Sequence, residues 1–571
     1  MVAGIGNFHK SLPHNEYGEV VQSAFDNFVD AAETGGDFEN VAPGPVTDQN
    51  HAPFDPKAPA PTEPDKLVSP QAGRSKDRLG PNPKDMNMPP PPGVLSVSTA
   101  SEMIELFWMA LLRDVSFDLL QDPSNVDGPL KEMTEWFNLS IADTNDAGHL
   151  KLRSDLPEKN GKLDLTEKTL FRSGLPGEDL GPLVSQFFLH DVAFGTQVIL
   201  QKQIPYRSGL DFLTDHGSWL LAQNSGYDRF ADPYPSANDA SDRPDYLERV
   251  NNHDPSSQPV FRRIATMRDL ARFVHKDALH QAYFNAALLL LGWGAEVDNG
   301  NPTKGYKRQR GFATLGGPHL LTLVSEVASR ALKVVWRQKW LVHRRQRPEA
   351  YGGLMQMQKD GFKGVTRDYG LPSGVFSTRA TQAVRNNPNG AGTWLLPMAF
   401  SSGSPIHPAY GAGHATVAGA CVTILKAWFK EEQTIAELLA KKPRHPITGA
   451  VVRIVQPGLE VTNIPDGSGG FELPDYQGAD AQRLTVGGEL NKIASNVAMG
   501  RSMGGVHWRS DNTRSLRLGE QIAAYILAHV TVDLPESPSF TFTSFNGKET
   551  SIRGGKVYQG SKVINPVTTE L

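Results

Sequence analysis

The stretch Ser404–Phe429, SPIHPAYGAGHATVAGACVTILKAWF, limits the fold more than any other. Its first half is a loop punctuated by proline and glycine. From Gly413-His414 it becomes a helix of small and aliphatic residues, which only a surrounding core can accommodate. A helix start preceded by small residues aims several unpaired amides, with the positive end of the helix dipole behind them, at one spot. Such a start is an anion seat, and His414 on its rim adds a group able to move protons near neutral pH.

The rest of the 571-residue chain supplies helices to pack around that one. A Ser cap, early acidic residues and apolar spacing of three and four predict a helix in STASEMIELFWMALLRDVSF. Others are expected near 180–195, over 267–294, over 318–348 (stopped by Pro348), over 488–503 and over 513–530. The Asp/Asn/Pro/Gly-rich stretch from about 203 to 260 reads as a long surface connection. Residues 447–475 read as a small β-hairpin excursion, and SFTFTSFNGKETSI as a hairpin turning on Asn546-Gly547. Expected domains are a Pro-rich extended arm over 1–95 with little secondary structure, a helical domain over 96–535 and a β-hairpin tail over 536–571. The arm is expected to be disordered or to wrap its own domain or a neighbouring subunit. The fold class is mainly α, a large helical bundle with small β-hairpin excursions.

A net charge of −5 argues against a general nucleic-acid binder. The apolar run AALLLLGWGAEV is about half of what a bilayer requires, so no membrane partner is expected. The first residues lack the apolar region of a secretory signal, which favours an intracellular location. The single cysteine, Cys421, sits in an apolar helical run and reads as a buried, inert thiol.

Three clusters carry chemistry. In the first, Lys333, Arg337, Lys339, Arg344, Arg345 and Arg347 fall within fifteen residues, interleaved with Trp336, Trp340 and Leu341. On one helix Lys339 and Arg347 would lie roughly 80° apart and converge on one object. Buried cations require a partner, and a multivalent oxyanion would satisfy both. The second is the seat itself, with His407 upstream of His414. The third is MGRSMGGVHWRSDN, where His507 follows Arg501 by six residues and Asp511 follows His507 by four. That spacing suits a carboxylate holding one ring nitrogen and leaving the other free. Taken singly, each has a plainer reading: a solvated basic face, a structural histidine, a surface Arg–Asp pair.

Together and in order, Lys-x7-Arg-Pro, Gly-Ala-Gly-His and Arg-x5-His-x3-Asp resemble the signature of the vanadium-dependent haloperoxidases, shared in part with the acid phosphatases of the same helical fold. The runs VHRRQRPE and SPIHPAYGAGHA are most similar to the bromoperoxidase branch of algae and cyanobacteria. The resemblance implies vanadate as cofactor, bonded through His507 with Asp511 orienting the ring. Lys339, Arg347 and Arg501 would neutralise its oxygens and the Gly413 amide would donate to one. His414 would be the acid–base group, and Trp336 and His407 would lie near the halide. Asp277, in VHKDALHQAY, would hold His414 and Arg501. Hydrogen peroxide, a halide (bromide first, then chloride or iodide) and small organic molecules are the implied substrates. A homo-oligomer built of dimers, up to a dodecamer, is the implied assembly. Calcium is compatible with the family, but no motif supports it. Where the family has Pro-Ser-Gly-His, this chain has Gly411-Ala412-Gly413-His414, without the serine hydroxyl. The same pocket would also serve a vanadate-inhibited phosphatase with His507 as nucleophile, or an oxyanion-binding protein without catalysis.

Overall fold

The computed structural model describes residues 4–46, 61–75, 77–142, 158–159, 162–235, 261–387, 390–459 and 473–571. Parts of the Pro-rich arm, of the 203–260 connection and of the 447–475 excursion therefore lie outside the described residues. The fold is dominated by helices, with three small antiparallel sheets.

The helix Gly413–Trp428 is the axis of the molecule, buried from Ala415 to Trp428. It packs mainly against Arg509–Asp533, Gly317–Arg337 and Val486–Met503. Its closest approach is to Arg509–Asp533, and two glycines permit it. A Cβ at Gly419 would lie 2.0 Å from the Leu516 carbonyl oxygen, and one at Gly519 would lie 2.1 Å from that of Thr416. The helices therefore meet backbone to backbone, and the Ser515 hydroxyl accepts the Ala412 amide at 2.7 Å, locking the start of the axial helix. Caps set the neighbouring helices: Ser96 begins Val97–Leu111, Thr485 begins Val486–Met503, and a Thr266–Asp269 capping box begins Met267–Lys276.

Several expected elements differ. Near 180–195 there is no α-helix, but a short 3₁₀ turn at Gln186–Phe188 followed by the hairpin Val192–Phe194/Gln197–Ile199. Partners on Val486–Met503 take the local amides instead: Asn496 Oδ1 accepts from Ser185 N and Glu489 Oε2 from Gln186 N. The helix expected over 267–294 is two, Met267–Lys276 and Gln281–Gly292, because Asp277 is extended (ψ 145°) and turned to His414. The helix expected to run to Pro348 is α over Gly317–Arg337 and π over Gln338–His343. It ends at Arg344, which is left-handed (φ 47°), and Pro348 instead opens Pro348–Lys359. The stretch after 203 is not all surface, since the helix His216–Ser225 is buried from Ser218 to Ser225.

The arm carries the helix Gln22–Thr34, whose Phe25, Phe28, Ala31 and Ala32 join Phe8, Leu12, Phe38, Trp340 and Ile406 in a second core. In the tail, the turn after Phe540–Thr543 spans five residues rather than two, since Thr543 pairs with Glu549. The hairpin there extends through Glu549–Arg553, Lys556–Gln559 and Lys562–Ile564 into a four-stranded meander. Between 447 and 475 the described residues show isolated bridges, Arg444 with Val451 and Val455 with Asp475. No described helix is long and apolar enough to cross a membrane. Cys421 is buried, and burial pushes its thiol well above the usual range.

Two outcomes follow from this packing. Gly419→Ala is expected to destabilise the fold by about 3 kcal/mol or more, read from urea unfolding, because the obstacle is backbone and cannot swing aside. Burial holds His9 of the arm at a pKa of about 4, against 6.5 in an unfolded chain. The unfolded state therefore binds the proton first, and stability present above pH 6.5 is lost as the pH falls towards 4. In His9→Gln the urea midpoint is expected to fall less steeply over that window than in the parent chain.

Candidate active site

Two helix starts converge on a single cavity, and the cations of a helix break, Lys339 and Arg347, are buried behind its wall, hydrogen-bonded to Pro408, His407 and His507. Gly413 and His414 open the axial helix, and His507 stands two residues before Arg509–Asp533. Lys339 comes from the π turn, and Arg347 caps the helix that follows the break. Lys339 and Arg347 thus meet because the chain turns at Arg344, not because one helix carries both. Arg501 ends Val486–Met503. The cavity, about 480 Å³, is lined by Asp277, Trp336, His407, Gly413, His414, Arg501 and His507, among others.

The hydrogen bonds fix protonation states. Arg347 Nη1 lies 3.0 Å from His507 Nε2. A guanidinium can only donate, so Nε2 is the acceptor and the ring proton sits on Nδ1. Nδ1–H then donates to Asp511 Oδ2 at 2.9 Å. Asp511 also accepts the Trp508 amide at 3.0 Å, so one carboxylate both caps the helix and aims the imidazole. Arg345 fixes Asp511 in turn, with Nη1 2.8 Å from Asp511 Oδ1 and Nη2 2.8 Å from Glu102 Oε2. Burial, then Arg347, Lys339 and Arg501, hold His507 well below the usual histidine range, hence neutral.

By the same rule Arg347 Nη2 donates to His407 Nδ1 at 2.9 Å, and His407, depressed chiefly by burial and then by Lys339, is neutral. Asp277 Oδ1 is 3.0 Å from His414 Nε2. With the carboxylate accepting, Nε2 carries the proton and Nδ1 is free to take another. Burial lowers the His414 pKa and Asp277 opposes it. Asp277 does not bridge to Arg501 as expected. Arg501 Nη1 donates instead to the Val274 carbonyl at 2.6 Å.

The cations also shape the loop before the axial helix. Lys339 Nζ donates to Pro408 O at 2.8 Å, Arg347 Nε to His407 O at 3.0 Å, and Ala409 N to Arg345 O at 2.9 Å. Gly413 sits against Trp336, whose ring a Cβ would approach to 3.2 Å. Trp336 in turn packs on His407, centroids 5.1 Å apart. Among the described residues Lys339, Arg347 and Arg501 form no ion pair with a carboxylate. Burial, then Arg347, pulls Lys339 well below the usual lysine range, and burial, then Arg501, pulls Arg347 to about 9. No described group of three or more His, Cys, Asp or Glu is disposed to hold a metal ion.

Sequence reading missed four contributors: Arg345 as the clamp on Asp511, Tyr234 and His275 in the cavity wall, and the arm residues Asp65–Val68 across its mouth. Arg345 was visible as one cation of a cluster. His275 lies two residues before Asp277 and could have been sought there, whereas nothing in a Pro-rich arm marks it as active-site wall.

A family model described as the VCPO second helical-bundle domain matches residues 380–534. A vanadium-dependent bromoperoxidase of Corallina pilulifera is 32% identical, covering 95% of this chain and 90% of its own. One from Ascophyllum nodosum is 30% identical over 95% and 85%. The homohexameric structure of the second vanadate-dependent bromoperoxidase of Ascophyllum nodosum superposes with a TM-score of 0.74 at 27% identity, covering 98% of this chain and 86% of that one. With relatives of this similarity along almost its whole length, the chain belongs to the vanadium-dependent haloperoxidases, alongside the bromoperoxidases.

Proposed function

We propose that the chain is a vanadate-dependent bromoperoxidase that oxidises bromide with hydrogen peroxide, Br⁻ + H₂O₂ + H⁺ → HOBr + H₂O, and halogenates small organic molecules through the product. The observation that carries this reading is the surplus of buried positive charge at Lys339, Arg347 and Arg501 around a neutral His507 lone pair.

The donor set fits vanadate. Among the described residues Arg501 Nε is buried without a hydrogen-bond partner, and the first amides of the axial helix have no acceptor within the helix. A compact oxyanion with several charges satisfies all of these at once. Bound there, vanadate supplies a Lewis acid that renders peroxide oxygen electrophilic towards halide without changing its own oxidation state.

The chain's residues supply the rest. Lys339, Arg347 and Arg501 hold the negative charge, and Arg347, lowered to about 9, stays protonated near neutral pH. Asp511, kept by Arg345, directs His507 Nε2 at the ligand. His414, with Nε2–H on Asp277, takes a proton at Nδ1 when peroxide enters and returns it to the departing oxygen, so that water leaves rather than hydroxide. Trp336 and His407 border the halide position. Ala412 leaves the axial helix without a side-chain cap, so its first-turn amides remain available to an anion. The assembly is a homo-oligomer; the dimer-based dodecamer of the family and the hexamer named for the Ascophyllum protein are the two candidate forms.

Loading with orthovanadate is expected to switch on bromination of a phenol-red-type dye and to raise the thermal midpoint. At a hundredfold excess over Kd the stabilisation is about 2.7 kcal/mol. Arg501→Ala should lose most of both effects, and a parent chain showing neither would overturn the reading. Ala412→Ser adds one hydrogen bond to a charged partner, worth roughly 1.5–3 kcal/mol. Vanadate affinity or turnover should therefore change by no more than about a hundredfold. Loss of vanadate binding in that variant would count against this geometry.

A further inference from the structure

The cavity lined by Arg501, His414 and His507 is also walled by Leu67, Val68, Leu279, Leu332, Pro405 and Ile406. Two of these come from the arm, which is tied across the cavity at three points. Asp65 N donates to Ser225 O at 2.8 Å, Val68 N to Ile406 O at 2.9 Å, and Trp336 Nε1 to Val68 O at 3.3 Å. Peroxide, halide and an oxyanion are small and polar and gain nothing from such a wall. The volume of about 480 Å³ suits an organic molecule as well.

His275 adds a directed polar contact. Its ring lies flat on Phe400, centroids 3.7 Å apart and planes 9° apart, and Nδ1 is bonded to the Tyr206 hydroxyl at 2.7 Å. Among the described residues Nε2 is buried with no partner, although the residue lines the cavity. Such an atom is costly unless a ligand satisfies it. A hydroxyl matches either tautomer, because it both donates and accepts.

We propose that the strap Asp65–Val68 and His275 form a binding subsite for the halogen acceptor, an uncharged, largely apolar molecule with one hydroxyl group, typified by a phenol. This rests on the bromide-oxidation reading and adds that the acceptor is held where hypobromous acid is released. A π pair of the ring carbon attacks bromine and the Br–O bond breaks. The displaced hydroxide leaves as water with the proton lost from that carbon. Carbon is oxidised, and the oxidant is the hypobromous acid of the first reaction.

Thymol serves as the probe, titrated by calorimetry into the vanadate-loaded enzyme and into the vanadate-free protein. Saturable one-to-one binding is expected in both. Val68→Phe, which crowds the strap at an exposed position, and His275→Phe, which removes the hydroxyl partner, should each weaken binding about tenfold. The rate of tribromide formation by Val68→Phe without acceptor serves as the reference against which its thymol bromination is read. The ratio of brominated thymol isomers from the parent enzyme should differ from that given by free hypobromous acid, and Val68→Phe should revert to the free-reagent ratio. No saturable binding, or a parent ratio equal to that of the free reagent, overturns the subsite. A loaded parent enzyme that binds thymol but forms no tribromide overturns the peroxidase reading instead.

Discussion

Three cations that, among the described residues, have no carboxylate of their own are the constraint on which the rest of the structure depends. Burial, then Arg347, lowers the Lys339 pKa, and burial, then Arg501, lowers that of Arg347; folding around the three is tolerable only because carbonyls absorb part of the charge. Those carbonyls belong to the loop before the axial helix and to the end of Met267–Lys276. Charge storage and backbone placement are therefore one arrangement. The same contacts that make the cations bearable also fix where His407, Gly413 and His414 stand, and they leave unmet hydrogen-bonding capacity, at Arg501 Nε above all.

The carboxylates are kept one step back. Asp511 faces His507 and Arg345, Asp277 faces His414, and Glu349 takes Lys10 and the Ser404 amide. None neutralises the three cations directly. A carboxylate moved into contact with Arg347 or Arg501 would relieve the folded state and cancel the attraction for an incoming oxyanion. Asp511 gains from its position in a second way: because it also caps Arg509–Asp533, the imidazole is aimed by the same hydrogen bonds that start a 25-residue helix.

How much of this was legible in the chain depended on the range of the interactions. The axial helix and the helices expected over 488–503 and 513–530 could be read because apolar periodicity is a local record, and motif order singled out the ten residues proposed for the site. The breaks were not. Nothing in VHKDALHQAY interrupts a helix, and Asp277 leaves the helical path for His414, 137 positions away. Arg344 adopts a left-handed backbone with no glycine or asparagine to announce it, and the turn is sustained by Arg345 and Arg347 reaching partners in other segments. The short turn at Gln186–Phe188 is decided by Glu489 and Asn496, more than 300 residues on. In each case a side chain from a distant segment overrules local propensity, and in the first two that segment belongs to the site.

The arm shows the same coupling from the other end of the chain. Lys10 donates to Glu349 and to the carbonyls of Ser402 and Ser404, and Phe8 packs edge-on to Trp340. A segment whose composition suggests a solvated spacer is thus stapled to the back of the anion-binding loop, while Asp65–Val68 crosses its front. Composition misleads here because proline-rich chain forms few hydrogen bonds with itself and so keeps its amides and carbonyls for the domain it crosses. Val68 meets Ile406 through its amide and Trp336 through its carbonyl, and Ile406 also packs in the second core with Phe8 and Phe28. Loosening the arm would therefore act on both sides of the 404–412 loop at once, which ties the stability of the N-terminal segment to the shape of the cavity over the cations.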